Sequence, residues 1–280
     1  MQDIHTHLYW ESYDADREDV LSRAAAAGVT TMLVVGTNLE ESAQAIALAQ
    51  KHEVLLVSIG MHPNEFRDGV GIPTDWLAVL TALTENPKVV AIGECGLDYS
   101  ESHGPITAAE KAAQSRAFVE QLALAKKKNL PVIVHCRSTN SVTDDAYRDV
   151  LALLEAHAAE IPAVILHCYM GSQSVTENFL RIPNVYFSFT GNITYPVSKS
   201  RLGGDFDLTE VVKRVPLERL FVETDCPFLT PQGRRGERNE PALVAEVAAK
   251  VAELQGVSVA TIAEKTQENF CRVFSIDATA

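Results

Sequence analysis

The chain has 280 residues, 46% of them hydrophobic, and a formal net charge of −13. A charge this negative argues against a broad basic surface for grasping duplex DNA. No segment approaches the roughly 18 unbroken apolar residues of a membrane span, and no basic and apolar leader opens the chain. We therefore expect a cytoplasmic protein without a membrane partner. The five cysteines include no CxxC pair, so we expect no disulfide framework.

Short β-branched segments alternate with Ala-, Leu- and Glu-rich segments of helical period. In chain order the predicted elements are strand 2–7, helix 16–27, strand 30–35, helix 39–51, strand 54–59, helix 75–84, strand 89–93, helix 107–128, strand 131–135, helix 141–157, strands 163–167, 185–189 and 220–223, and helices 241–253 and 258–273. Eight strands in this length predict an α/β fold of the (β/α)8 TIM barrel type, one domain over residues 1–280 with an extra C-terminal helix. A doubly wound open sheet is the alternative, but no GxGxxG follows the first strand.

Polar residues cluster at the carboxyl ends of the predicted strands. In a barrel these ends converge on one mouth, where active sites form. His5 and His7 are two apart on a strand, so both side chains point to the same face. The full set is His5, His7, Glu94, His135, His167 and Asp225.

Imidazole and carboxylate groups suit divalent ions such as zinc or manganese. Six such groups are too many for one catalytic zinc with an open position, and they suit two ions with a carboxylate between them. Two ions together can hold the attacking and leaving oxygens of a phosphoryl transfer. The alternative is that each histidine is a hydrogen-bonded structural residue. Six potential ligands, four histidines and two carboxylates, at five strand ends favour the metal site.

Cysteine follows four of these residues, at Cys95, Cys136, Cys168 and Cys226. Neighbours on a strand point to opposite faces, so we predict that these thiols lie in the core between strands and helices. Soft metal ligation or a nucleophilic thiol is the alternative. Cys226, which precedes a proline, has the least regular strand context.

Taken together, these residues make the chain resemble the TatD family of metal-dependent deoxyribonucleases, within the amidohydrolase superfamily. The matching stretches are DIHTHL at 3–8, GMHP at 60–63, AIGECGLDY at 91–99, LPVIVHCR at 130–137, HCYMGS at 167–172, ETDCPFL at 223–229 and TQENF at 266–270. Further matches are Gln114, Phe118, Gln121, Leu122, Arg235, Gly236, Asn239, Glu240 and Pro241.

The resemblance implies a barrel with two divalent metal ions and 3′–5′ exonuclease activity on DNA, at single strands or 3′ ends, with no obligate protein partner. It assigns His5, His7, Glu94 and Asp225 to one ion. Glu94, as the bridge, holds the other ion together with His135 and His167. Asp225 is implied as general base, so Asp225 and Glu94 are the predicted catalytic residues. Family metals vary among magnesium, manganese and zinc.

Two residues are predicted to bind substrate. Arg137 lies two residues past His135, where its guanidinium can hold a phosphate through two hydrogen bonds. His62 can bind a phosphate or protonate the leaving oxygen. The alternatives are an ion pair that anchors the loop for Arg137, and a packing role beside Pro63 for His62.

The chain departs from the usual family pattern at 138–141 and at 191–207, so no substrate contact is assigned to these segments. Other candidates carry open alternatives. Glu223 orients a ligand or closes the barrel interior. Tyr99 and Phe228 stack on a base or pack in the core. The last candidates form a basic cluster of Arg234, Arg235 and Arg238. They contact the nucleic-acid backbone or, as the alternative, neutralise Glu237 and Glu240.

Two other functions compete with the nuclease. A small-molecule amidohydrolase or esterase would use the same kind of centre, and the acidic charge leans slightly towards it. A non-catalytic metal-binding partner protein is the other alternative. The complete set of six ligands argues against it.

Overall fold

The computed structural model describes residues 1–67, 72–102, 104–199 and 202–276. Eight parallel strands form one sheet in the order of the chain, so each strand pairs with the next. The strands are β1 Gln2–Thr6, β2 Thr31–Val35, β3 Leu55–Ile59, β4 Val89–Asp98, β5 Val132–Arg137, β6 Val164–Leu166, β7 Val185–Phe189 and β8 Leu220–Val222.

The sheet closes where the chain just past β8 meets β1. Thr6 forms a parallel bridge with Cys226, and His7 N donates to Cys226 O at 2.9 Å. The buried Asp3 carboxylate accepts from Thr224 N at 2.9 Å and from Thr224 Oγ1 at 2.6 Å. This closure confirms the predicted TIM barrel.

A helix follows each strand, and one more ends the described chain. The helices are α1 Arg17–Ala26, α2 Leu39–Ala49, α3 Trp76–Leu83, α4 Ala108–Lys128, α5 Asp145–His157, α6 Gln173–Phe179, α7 Leu208–Arg214, α8 Val244–Gln255 and α9 Val259–Phe274. A capping box of Thr107 and Glu110 begins α4, and Asn129, at φ 54°, ends it. The extra helix predicted at the carboxyl end is confirmed as α9.

Some predicted boundaries were wrong. Helices α6 and α7 were not predicted, because seven residues each are too few to show a helical period. The helix predicted from 141 begins at Asp145, whose side chain accepts from Thr139 N in the preceding loop at 3.0 Å. The strand predicted to end at 93 continues to Asp98, so Glu94 lies inside β4.

Two glycines explain how β4 continues. Gly93 and Gly96 both have φ of 140°, and the register between β4 and β5 shifts between Ile92 and Cys95. A Cβ at Gly96 would lie 2.0 Å from His135 O. Only glycine allows this close approach, which brings β4 and the ligand-bearing end of β5 together.

The buried apolar residues form two layers. The larger lies between the strands and the helices, and the smaller lies inside the barrel. Ile133 and Ile165 belong to the inner layer, each two residues before a candidate ligand on the same strand face. Phe270 and Phe274 of α9 join this layer, so α9 covers the amino-terminal end of the barrel. The mouth at the opposite end holds the polar cluster.

In the part of the chain that the structure describes, no helix combines the length and apolarity needed to cross a bilayer. The cytoplasmic location stays a prediction. Within the 191–207 segment, residues 200 and 201 lie outside the described residues.

Candidate metal centre

The structure brings all six predicted ligands together at the carboxyl end of the barrel. His5, Glu94 and His135 lie on β1, β4 and β5, and the other three lie one to three residues beyond the ends of their strands. His5 is fully buried and Glu94 is 4% exposed. Residues far apart in sequence therefore share one pocket.

The two carboxylate oxygens of Glu94 face different groups of histidines. Oε2 lies 3.3 Å from His5 Nε2. Oε1 lies 2.7 Å from His135 Nδ1 and 2.9 Å from His167 Nε2. One carboxylate thus faces two donor clusters at once, as a bridging ligand must.

Asp225 completes the first cluster. Its Oδ1 lies 3.5 Å from His7 Nε2 and 3.7 Å from His5 Nε2. Its side chain is 14% exposed, so a carboxylate oxygen reaches the cleft above the cluster. Asp225 N also donates to His5 O at 3.0 Å, which anchors the residue to β1.

These donors fit divalent ions. Donors held about 2.0–2.1 Å from a tetrahedral ion lie roughly 3.3 Å from one another, close to several of these spacings. Neither ring nitrogen of the buried His5 makes a hydrogen bond within the described structure. An unpaired buried polar group is costly, so a metal ion bound at His5 would satisfy an otherwise unpaired ring nitrogen.

Carboxylates and a carbonyl outside the cluster orient the imidazole rings. His7 Nδ1 lies 2.9 Å from Val35 O, and His135 Nε2 lies 3.3 Å from Asp98 Oδ2. Such partners hold ligand rings in place and fix their tautomers. Asp98 was missed in the sequence because strand 4 was predicted to end at 93, although the GLDY motif contained it.

Glu223 has the orienting role that was one of its two predicted alternatives. Its Oε1 lies 3.2 Å from His167 Nδ1 and accepts from Cys168 N at 2.6 Å. Its donor atoms also lie within 4.8 Å of those of His5 and His167, a set that could itself hold an ion. Because its Oε1 contacts both His167 and the Cys168 amide, Glu223 holds the His167 ring, and its Oε2 makes no hydrogen bond within the described structure.

The cluster keeps its carboxylates ionised. Burial raises the pKa of Glu94, but the nearby His167 and His5 outweigh it and hold the pKa well below its usual value. Burial likewise raises the pKa of Asp225, and the hydrogen bond from His7 and the charge on His5 lower it overall. Two ionised carboxylates among imidazoles make a pocket suited to cations.

His62 lies at the edge of the cluster, with Nε2 3.6 Å from Glu94 Oε1. Its Nδ1 accepts from Asn64 N at 3.1 Å, which fixes the ring. Burial and the neighbouring His135 lower the pKa of His62 to about 3. A neutral ring whose Nδ1 accepts carries its proton on Nε2, so His62 presents a hydrogen-bond donor to the site.

Arg137, the last residue of β5, is exposed and lines the cleft above the cluster. In the described chain, no carboxylate oxygen lies within 4.0 Å of the Arg137 guanidinium, which argues against the alternative of an ion pair that anchors the loop. Its guanidinium is therefore available to a ligand. The cleft has a volume of about 620 Å³, within the range of small-ligand sites.

An aromatic pair also lines this cleft. The Trp10 ring stacks on His7 with centroids 5.0 Å apart, and Phe228 contacts Trp10 edge-on at 5.2 Å. Phe228 is 49% exposed, so base stacking stays a prediction for it. For Tyr99 the structure supports the other alternative, core packing, because Tyr99 is 1% exposed and its hydroxyl donates to Asp149.

The predicted arginine cluster is mostly engaged in ion pairs. Arg238 pairs with Asp16 at 2.7 Å, and Arg234 pairs with Glu246 at 2.9 Å. The Arg235 guanidinium lies 4.4 Å above the Tyr195 ring. These contacts favour the structural alternative. Arg234 also lies 3.6 Å from the predicted partner Glu237, whereas Glu240 pairs with Arg23 at 2.6 Å.

The predicted burial of the thiols is confirmed at three positions and was wrong at one. Cys95 and Cys226 are fully buried and Cys136 is 5% exposed. Cys168 is half-buried and lines the cleft. It follows β6 at φ 43°, a left-handed turn, so strand alternation no longer sets its direction.

Comparison with known proteins is consistent with this site. The model of the family of TatD-related DNases matches residues 2–275. The chain is 39% identical over 275 residues to the "Uncharacterized metal-dependent hydrolase YabD" of Bacillus subtilis, covering 98% of this chain and 99% of that protein. It is 36% identical over 280 residues to the "3'-5' ssDNA/RNA exonuclease TatD" of Citrobacter koseri, covering 99% of each.

The solved structures agree. The TatD homologue YJJV of Escherichia coli K12 superposes with a TM-score of 0.84 at 30% identity, covering 99% of this chain and 98% of that one. Both the sequence matches and this superposition extend over the whole barrel, including every strand that carries a candidate ligand. The chain therefore belongs to the family of TatD-related DNases.

Proposed function

We propose that this protein is a metal-dependent phosphodiesterase that hydrolyses DNA, removing nucleotides from single-stranded 3′ ends. The observation that carries the proposal is the position of Glu94, whose two oxygens face two separate donor clusters. The names of full-length relatives, a metal-dependent hydrolase and a 3′–5′ exonuclease, support the same activity.

The residues present would hold two divalent ions. His5, His7, Glu94 and Asp225 would hold one ion, and Glu94, His135 and His167 the other. Ions at such a site lower the pKa of water and neutralise the charge that develops on a transferred phosphoryl group. A set rich in imidazole favours zinc or manganese over magnesium, which prefers oxygen ligands.

Asp225 has the properties of a general base. It is ionised, because neighbouring histidines lower its pKa, and it is the partly exposed carboxylate of the first cluster. A carboxylate oxygen in the cleft can accept the proton of an attacking water. The backbone hydrogen bond to His5 holds it in position.

Arg137 and His62 would bind the scissile phosphate. The Arg137 guanidinium offers two parallel hydrogen bonds to phosphate oxygens. His62 Nε2 would add a third donor from the β3 side of the cleft. Phe228, which also lines the cleft, would stack on a base.

The proposal is tested with the Glu94→Gln and Asp225→Asn variants. We expect each to lower kcat/KM on a 3′-labelled single-stranded oligonucleotide by roughly a hundredfold or more, because each change removes a charge from the site. Assays would use Zn²⁺, Mn²⁺ and Mg²⁺ in turn. Glu53→Gln is the matched control, since Glu53 is exposed and precedes β3 at the opposite end of the barrel.

Wild-type turnover by either folded variant would contradict this mechanism. A panel of amides, esters and lactones should be left intact by the wild type. Turnover of those compounds, without cleavage of the oligonucleotide, would instead support a small-molecule hydrolase. Two bound ions without turnover of any substrate would support a non-catalytic protein.

A further inference from the structure

A second cavity of about 330 Å³ adjoins the metal cleft. Arg137 and Met170 line both cavities, so the two are neighbours at these side chains. We call the smaller one the loop cavity, because the loop after β5 supplies five of its eleven lining residues. The wall includes Ser138, Thr139, Asn140, Ser141 and Thr143, together with Tyr147 of α5.

Most residues that line the loop cavity have polar, uncharged side chains. Hydroxyl and amide groups predominate, and the charged lining residues are Arg137 and Glu101. Arg137 lies at the junction with the metal cleft, whereas Glu101 lines the loop cavity alone. The junction therefore suits a phosphate, and the interior suits a neutral ligand with many hydrogen-bonding groups.

The wall is held in place by its own hydrogen bonds. Thr139 N donates to Asp145 Oδ1 at 3.0 Å, and Val142 N donates to Asn140 Oδ1 at 3.0 Å. The second bond leaves the amide nitrogen of Asn140 to donate elsewhere. A loop held this way can receive a ligand with little further ordering.

Tyr147 adds a buried donor. Its side chain is 2% exposed, and its hydroxyl accepts from Met170 N at 2.9 Å. No acceptor for the hydroxyl proton is found in the described chain. Burial raises the pKa of Tyr147 well above its usual value, so the proton stays in place to be donated.

We propose that the loop cavity binds the nucleoside, sugar and base, attached to the scissile phosphate. This inference rests on the proposed function and deepens it. A phosphate at the metal centre and Arg137 places its attached nucleoside in the adjoining space. A volume of about 330 Å³ is at the low end of small-ligand sites, which suits one nucleoside rather than several.

The test places a negative charge in the wall of the loop cavity. Ser141 is exposed and lines the cavity, so Ser141→Glu adds a carboxylate there without disturbing the core. Val142→Glu is the matched control. Val142 is the next residue, is 51% exposed and lines neither cavity. Val142→Glu therefore adds the same charge to the same loop but outside the cavity.

Each variant is assayed on two phosphodiesters, a single-stranded oligodeoxynucleotide and methyl 4-nitrophenyl phosphate, which has no nucleoside. We expect Ser141→Glu to raise KM for the oligonucleotide about tenfold, because the longer, charged side chain occupies the space that the nucleoside would fill. Val142→Glu should change it by less than about twofold. Turnover of methyl 4-nitrophenyl phosphate should stay within about twofold for both.

Equal changes in KM with the two glutamate variants would overturn the loop cavity as a subsite. Loss of methyl 4-nitrophenyl phosphate turnover in Ser141→Glu alone would also overturn it, since the change would then act on the metal centre. If the wild type with added Zn²⁺ or Mn²⁺ cleaves neither phosphodiester, the proposed function itself fails. The small substrate therefore separates the two failures.

Discussion

At the scale of the residue, individual carboxylates set the chemistry of the barrel mouth. Glu94 faces both histidine clusters, and Asp225 faces the first cluster and the cleft. Asp98 and Glu223 contact the rings of His135 and His167, two of the candidate ligands. The four acidic side chains thus divide into two that would bind ions and two that hold the binding residues in position.

Glu223→Gln should weaken metal binding without abolishing it. The amide is less basic than the carboxylate, so it orients His167 less well and lowers the electron density on its ring. We expect metal affinity or kcat to fall by roughly 10–100-fold, as for other outer-shell partners. Isothermal titration of the metal-free protein with Zn²⁺ measures the affinity.

The control for this variant is Glu155→Gln, because Glu155 is exposed on α5. It should bind Zn²⁺ as the wild type does. An unchanged affinity in Glu223→Gln would show that its contact with His167 is structural only.

At the scale of the element, β4 decides where the bridge lies. The strand passes Gly93 and Gly96 at φ 140°, and its register against β5 shifts beside Glu94. Asp98 pairs with Arg137 further along the same ladder. One irregular strand thus places a candidate ligand, Glu94, and Asp98, which contacts the His135 ring, at the edge of the cleft.

Gly96→Ala should destabilise the protein strongly. The added Cβ would lie 2.0 Å from His135 O, and the backbone angle is one that alanine disfavours. We expect the free energy of unfolding to fall by roughly 2–4 kcal/mol and the affinity for Zn²⁺ to fall with it, because β5 must move. Urea denaturation measures the first quantity.

Gly28→Ala separates the two causes. Gly28 has φ of 82°, but a Cβ added there would meet no atom within 4 Å, so the variant carries the backbone strain without the clash. We expect it to cost about 1–2 kcal/mol. Equal losses in the two variants would mean that close packing of β4 on β5 is unimportant.

At the scale of the whole molecule, the charge of −13 makes the cleft's own cations important. Arg234 and Arg238 are engaged with carboxylates, whereas Arg137 faces the cleft without an ion-pair partner in the described chain. Bound divalent ions would supply further positive charge where an anionic substrate must approach. The same ions would also stabilise the fold, since they bind the closed barrel mouth and not the unfolded chain.

Removing divalent ions should therefore lower the melting temperature. Zn²⁺ or Mn²⁺ at about 100 times its Kd is expected to stabilise the fold by about 2.7 kcal/mol per site, a shift of several degrees. Differential scanning calorimetry in EDTA and in added metal measures it. Glu94→Gln should lose most of the shift, and Glu53→Gln should keep it. Identical melting curves with and without metal would contradict the two-ion centre.

The sequence by itself determined the alternation of strands and helices, the barrel and the six candidate ligands, because periodicity and residue chemistry are local properties. It did not reveal Asp98 or the short helices α6 and α7, and it misplaced Cys168. Those features depend on a strand bulge, on packing that stabilises seven-residue helices and on a left-handed turn. Only the tertiary structure decided which Glu94 oxygen faces which histidines and that a polar cavity adjoins the mouth, because both depend on contacts between strands distant in sequence.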